Sequence, residues 1–156
     1  MSLPYSKATS GTAALGEIQK ILRAFGCTKI GNMSDESDGS VEVQFVYRGL
    51  ECSVKASAKG YAQAWLKATP YTTRMHISKA QHESRAMEIG TVAIYSILRD
   101  WIKGQVAAIE TGVLSFEGAF LGNIRIPGTG KTVLEHVEDK KLLPAQMLPT
   151  LPGPKP

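Results

Sequence analysis

Apolar residues near the N-terminus recur every three or four positions, which is the spacing of one face of an α-helix. The pattern predicts a helix over residues 12–25. Its apolar stripe consists of Leu15, Ile18, Ile21, Leu22 and Phe25. Ser10 or Thr12 can cap the first turn, and Gly26 suits the left-handed conformation that commonly follows a last turn. The first expected element is therefore an amphipathic helix with one buried face.

Between residues 41 and 55 the pattern changes to alternation. Apolar side chains occupy every second position in 41–47 and again in 50–54, as in strands with one buried face. Arg48 and Gly49 separate the two runs, which predicts an antiparallel hairpin. A short strand is expected over residues 27–30, and the acidic segment 34–39 should form an exposed turn.

Helical spacing returns after Ser57 and dominates the second half of the chain. One helix is expected to end before Pro70, and a long one to run from about Ser78 to Gly112. A further one or two helical turns are predicted over residues 115–121, with a serine as the cap.

The long helix is apolar on more than one face, which predicts a central helix packed on several sides. Trp101 is expected to be buried in that packing. Gly90 and Gly104 each weaken a helix by about 1 kcal/mol relative to alanine, and such glycines are often found where a neighbouring element approaches closely.

The order of these elements predicts one α+β domain over residues 1–143. An N-terminal helix is followed by a three-stranded antiparallel sheet with the hairpin 41–55, covered on one face, and by a mostly helical half with one long central helix. Residues 144–156 are rich in proline and are expected to form an extended tail.

Composition places the chain among ordinary globular proteins, with 156 residues, 43% hydrophobic and 21% charged. The longest mostly apolar run, 90–98, is far shorter than the roughly 20 residues that a membrane helix needs. The first residues lack the basic start and apolar core of a secretory signal, so a cytoplasmic location without a membrane partner is expected.

The segment IRIPGTGKTV, residues 124–133, resembles part of a phosphate-binding loop. Gly130, Lys131 and Thr132 match the second half of G-x-x-x-x-G-K-[ST], but Arg125 stands where the first glycine belongs. That loop also normally opens an α/β domain whose later strands complete the site. We therefore interpret the segment as a glycine-rich turn and predict no nucleotide or other cofactor.

Cysteine and histidine spacing indicates no metal site and no catalytic residue. Cys27 and Cys52 are expected to be buried free thiols, since neither belongs to a Cys-x-x-Cys motif. His76, His82 and His136 share no ligand spacing. An enzymatic function is therefore not indicated, although a site assembled from distant residues stays open.

Charge is concentrated in one segment. Residues 48–79 carry six basic and one acidic side chain, whereas 1–47 carry four and five and 80–156 carry eight of each. The basic residues are Arg48, Lys55, Lys59, Lys67, Arg74 and Lys79. Three aromatic residues are interleaved with them, namely Tyr61, Trp65 and Tyr71. Such interleaving predicts a nucleic-acid surface, where cations neutralise phosphates and an aromatic ring such as Tyr71 stacks on a base. The alternative is a solvated basic face, with Tyr61 and Trp65 in the core.

Two resemblances bear on function. KASAKGYAQAWLKA, residues 55–68, opens the second helix in an order of elements similar to that of the double-stranded-RNA-binding domain. In that family, lysines at this position grip phosphates; here Lys55 and Lys59 are separated by small residues. Residues 96–121, together with residues 56–67 and the LLP at 142–144, resemble small uncharacterised proteins of bacteriophages and prophages. This second resemblance implies a bacterial or phage setting and a DNA-related or host-interaction role.

Two functions are compatible with these observations. The first is a small non-enzymatic accessory protein of phage or prophage type that binds nucleic acid through residues 48–79. The second is a protein-binding adaptor or oligomer that uses the long helix and the proline-rich tail.

Overall fold

The computed structural model describes residues 2–144. Its elements are, in chain order, α1 Gly11–Phe25, β1 Thr28–Asp35, β2 Ser40–Tyr47, β3 Leu50–Ser57, α2 Ala58–Ala68, α3 Lys79–Glu110, α4 Phe116–Phe120, a 3-10 turn Leu121–Asn123 and α5 Val133–Asp139. The predicted α+β class, with an N-terminal helix, a three-stranded antiparallel sheet and a mostly helical second half, is confirmed. The tail predicted at 144–156 lies, apart from its first residue, outside the described residues.

Strands β2 and β3 form the predicted antiparallel hairpin with the predicted turn. Phe45 lies opposite Cys52 and Val43 opposite Val54, so these apolar side chains share the buried face. Arg48 and Gly49 have φ values of 48° and 82°, the conformation of a two-residue hairpin turn that matches the twist of the strands.

Strand β1 is longer than the sequence predicts. It runs from Thr28 to Asp35 along β2, so the first residues of the predicted acidic turn belong to the strand. Six of its eight residues are exposed. An edge strand held mainly by backbone hydrogen bonds has no alternation of buried side chains, which explains why its length was underestimated.

Helix α3 is the centre of the domain. It packs against α1, α2, α4 and β3. Nine of its residues are buried, which confirms the prediction of a helix covered on several sides. At Gly90 the backbone of α2 comes so close that a Cβ atom would lie 2.6 Å from the carbonyl oxygen of Ala58. Nothing lies within 4 Å of the corresponding position at Gly104, so a close neighbour explains only the first of the two glycines.

Trp101 is not in the core, contrary to the prediction. Its exposed fraction is 37%, and its ring is nearly perpendicular to that of Phe120, with the centroids 5.6 Å apart. Phe120 itself is fully buried and also packs on Phe45. The short helix α4 therefore supplies the core aromatic at this place, and Trp101 lies over it on the outside.

The segment after α4 extends the sheet and then forms a helix. Ile124 pairs with Cys52, and the backbone N–H of Arg125 donates to the carbonyl of Glu51 at 2.8 Å, so the segment lies along the free edge of β3. Thr132 and Glu135 then cap each other's backbone at the start of α5. The sequence interpretation missed this seven-residue helix, because so short an element shows no periodicity.

Within residues 2–144, no helix combines the length and the apolar character that crossing a membrane requires.

Candidate nucleic-acid interface

The six basic residues of the 48–79 segment do not form one surface. Arg48 lies at the hairpin turn, with its guanidinium 5.1 Å from the centre of the Tyr47 ring. Strand β3, of eight residues, separates that turn from the start of α2 by roughly 25 Å. Arg48 is therefore remote from the other predicted contacts.

Lys55 lies among carboxylates on the outer face of the sheet. Its ammonium is 3.9 Å from the Asp38 carboxylate, in a depression of about 490 Å³ whose lining also includes Glu42, Glu135 and Glu138. A phosphate entering this depression would meet several negative charges. The geometry therefore disfavours Lys55 as a phosphate contact.

The other cation in that depression, Arg125, is held by an ion pair. Its guanidinium lies 3.0 Å from the carboxylate of Glu42, which also accepts a hydrogen bond from the Ser53 hydroxyl. The hydrogen bond from Ser53 is the main cause that holds the pKa of Glu42 below its usual value, followed by a hydrogen bond from Gln44 and by the charge of Arg125. The pair is thus ionised at neutral pH, and it fixes the segment after α4 to the sheet.

Helices α2 and α3 bring the remaining charges together because they run antiparallel. Ala58 at the start of α2 lies against Gly90, whereas Trp65 near its end packs on His82, close to the start of α3. The last turn of α2 and the first turn of α3 therefore lie at the same end of the domain. The predicted contacts found there are Lys67, Tyr71, Arg74 and Lys79, and all three cations are exposed. Lys59, exposed in the first turn of α2, lies about 12 Å from Lys67 along the helix.

We call this end of the two helices, with the connection 69–78, the α2–α3 junction. His82 is its buried centre, with an exposed fraction of 2%. The Nε2 atom of His82 lies 2.7 Å from the Thr69 carbonyl oxygen, which can only accept, so Nε2 carries a proton and donates. The rings of Trp65 and Tyr71 lie 5.0 Å and 5.8 Å from that of His82.

Tyr71 also makes a hydrogen bond near the end of the connection that precedes α3. Its hydroxyl donates to the carbonyl of Ile77 at 3.0 Å, one residue before the capping serine of α3. The connection is therefore fixed to α3 through the bond between Thr69 and His82, and its two ends are joined to each other through Tyr71 and Ile77. Tyr71 is partly buried in this arrangement, so its ring serves packing as well as any contact with a base.

A cavity of about 360 Å³ opens at the junction. It is lined by Trp65, Thr69, Met75, His76, Ile77, His82 and Arg85. None of these seven residues is among the predicted contacts, and the three that matter for recognition of a ligand edge are His76, His82 and Arg85. From the sequence alone the histidines are candidates only for metal ligation, and Arg85 lies in a stretch of the chain whose net charge is balanced. Only the pairing of α2 with α3 shows that they line one cavity.

The cysteines are unsuited to nucleophilic chemistry. Both are buried free thiols, as predicted. Burial raises the pKa of Cys27 to about 11 and that of Cys52 to about 12, so neither forms the reactive thiolate at neutral pH. Among residues 2–144, no group of three or more histidine, cysteine or acidic side chains is placed to hold a metal ion.

The PGTGKT segment forms the predicted turn. Arg125 and Thr132 pair across it in antiparallel fashion, and Gly128 and Gly130 have φ values of 80° and 69°. The ammonium of Lys131 is bound to the carboxylate of Asp139 at the end of α5. The lysine that would hold a phosphate is thus engaged with a carboxylate of the following helix.

Comparison with protein families, curated proteins and solved structures finds no match to the chain. The resemblances to phage-encoded proteins and to the double-stranded-RNA-binding domain stay predictions.

Proposed function

We propose that this protein is a non-enzymatic accessory protein that binds nucleic acid at the α2–α3 junction. The observation that supports the proposal is the antiparallel pairing of α2 and α3, which brings Lys67, Arg74 and Lys79 to one end of the domain. Nucleic-acid surfaces combine such cations with aromatic rings, and Trp65 and Tyr71 are the rings at this end. Arg48 and Lys55 are left out for the reasons of geometry given above.

The balance of charge at the junction favours an anionic partner. Arg85 adds a fourth exposed cation, and the acidic residues nearest in sequence are Glu83 and Glu88. Four cations against two carboxylates leave a local excess of positive charge. Such an excess attracts phosphates over a range set by the salt concentration, about 10 Å at 0.1 M.

The salt dependence of binding tests this proposal. We expect Lys67→Ala/Arg74→Ala to flatten the log-log slope of affinity against salt by about 1.4 on a single strand, since each phosphate contact contributes about 0.7. The measurement is fluorescence anisotropy with short single-stranded and duplex DNA and RNA across a salt series.

The matched control is Lys20→Ala/Arg23→Ala, which removes the same two charge types from the exposed face of α1. This variant should retain the wild-type slope. Equal slopes in both variants would move the interface away from the junction, and absence of binding at low salt and micromolar protein would reject the function.

A second candidate is self-association through the C-terminal half of α3. Trp101, Leu121 and Leu134 are exposed by 37%, 55% and 48%. Trp101 packs on Phe120, which precedes Leu121 in the chain, and Leu134 lies beside Gly122, which follows it. The three exposed residues therefore form one strip. A strip of this kind on a small domain is typical of a protein-binding surface.

Sedimentation velocity tests the second candidate. If this strip is an interface, the wild type should sediment as a dimer and Trp101→Lys as a monomer, because a lysine would place a charge in the apolar contact. Lys103→Ala is the control, since it changes an exposed residue of the same helix without adding charge. A monomeric wild type at tens of micromolar would reject self-association.

A further inference from the structure

The cavity at the α2–α3 junction has the size and lining of a small-ligand site. Its volume of about 360 Å³ is near the lower end of such pockets, which begin at about 300 Å³. Trp65, Met75 and Ile77 provide the apolar part of the lining. A flat, largely apolar ring of the size of a nucleobase fits a space of this kind.

Polar groups in the lining can recognise the edge of such a ring. Nε2 of His82 is engaged with the Thr69 carbonyl, which leaves Nδ1 as its other ring nitrogen, an acceptor in the neutral form. His76 and Arg85 are exposed and line the cavity as well. Arg85 also lines a neighbouring depression of about 650 Å³ along the first turns of α3, so it stands between two concave surfaces.

We propose that this cavity takes one unpaired base, and that the preferred ligand is therefore a single-stranded nucleic acid. The inference rests on the proposed function and adds strand preference and one binding residue, Arg85, outside the 48–79 segment. A base within a duplex is stacked on both faces and paired at its edge, so it cannot enter without leaving the helix. The flanking phosphates meet the exposed cations Lys67, Arg74 and Lys79.

Charge complementarity favours a nucleic acid over a peptide as the occupant. An acidic peptide would satisfy the cations, but its charged residues carry no planar ring, so a separate aromatic residue would have to fill the apolar part of the lining. A base carries both properties at once, because each ring is linked to a phosphate. Base stacking on aromatic side chains also tolerates any sequence, as an accessory protein requires.

Fluorescence of Trp65 provides the direct test. The chain has two tryptophans, so Trp101→Phe leaves Trp65 as the single emitter. This protein is titrated with an eight-nucleotide thymidine oligomer, with the same oligomer in duplex form, and with an abasic oligomer of equal length and charge. We expect the thymidine oligomer to quench Trp65 and to bind about tenfold more tightly than the abasic one.

Arg85→Gln tests the added binding residue. It should weaken binding of the thymidine oligomer several-fold, whereas Arg23→Gln, on the exposed end of α1, should leave it unchanged. Circular dichroism of each variant checks that the fold is retained. The thymidine and abasic oligomers are also compared by anisotropy with the wild-type protein, so that the main result does not depend on any substitution.

The outcomes separate this inference from the proposed function. Equal affinity for the thymidine and abasic oligomers, without quenching, would retain nucleic-acid binding and overturn the base site. Tighter binding of the duplex, or full competition by an acidic peptide of equal charge, would also overturn it. Absence of binding by every oligomer at low salt would reject both.

Discussion

Replacing Phe120 by alanine should lower the free energy of unfolding by about 3–5 kcal/mol, the usual range for deleting a large core aromatic. The side chain is fully buried, with the ring of Phe45 at 5.5 Å and that of Phe116 at 5.3 Å. Its removal would leave a cavity where α4, α3 and the sheet meet. Denaturant titration followed by circular dichroism measures the loss.

The neighbouring Leu121→Ala is the control for this prediction. Leu121 is 55% exposed, so its truncation should cost less than about 1 kcal/mol. Similar losses for the two variants would mean that α4 is not part of the core. A small loss for Phe120→Ala alone would contradict the packing of its ring between the sheet and α3.

Gly90→Ala should lower the free energy of unfolding by about 2 kcal/mol, although alanine is the better helix former. The added Cβ would lie 2.6 Å from the carbonyl oxygen of Ala58 and 3.3 Å from the amide nitrogen of Ala62. Both atoms belong to the backbone of α2, so only a shift of the whole helix relieves the clash. Overpacking of this kind costs about 3 kcal/mol, against a gain of about 1 kcal/mol in helix propensity.

Gly104→Ala, on the same helix, should raise the free energy of unfolding instead of lowering it. Nothing lies within 4 Å of its Cβ position, so the variant should gain about 0.5–1 kcal/mol from helix propensity alone. Thermal unfolding monitored by circular dichroism compares the two glycines directly. If both variants were stabilised, α2 would not approach α3 as closely as described.

The fold could be predicted where a local pattern specifies the element. Alternation over residues 41–55 and the Arg48-Gly49 turn together predict a hairpin, and the structure shows it. The hydrophobic pattern does not indicate the full length of β1, because most of its side chains are exposed, and it does not indicate α5, which has only seven residues. It also assigned Trp101 to the core because an apolar residue on a central helix is usually buried, whereas here α4 takes that place.

The candidate site was predicted only in part, because charge counts along a chain carry no information on distance. Six cations within residues 48–79 suggested one surface, but the sheet separates Arg48 from the rest and Lys55 lies among carboxylates. Conversely, His82 and Arg85 became relevant only when the antiparallel pairing of α2 and α3 brought them beside Trp65. Contacts between separate elements are tertiary information that composition does not contain.

The pairing of Ile124 and Arg125 with β3 has a consequence for behaviour at high concentration. An uncovered sheet edge is a template on which another chain can add a strand, and such additions lead to aggregation. Here the chain's own segment occupies the edge of β3 at Glu51 and Cys52. The opposite edge, β1, is interrupted by an irregular register between Thr28 and Gly31, and Lys29 there has a φ of 50°. Strand addition is therefore blocked at the middle of β3 and disfavoured at the irregular start of β1, so self-assembly through the sheet would have to begin at the regular part of β1, residues 31–35.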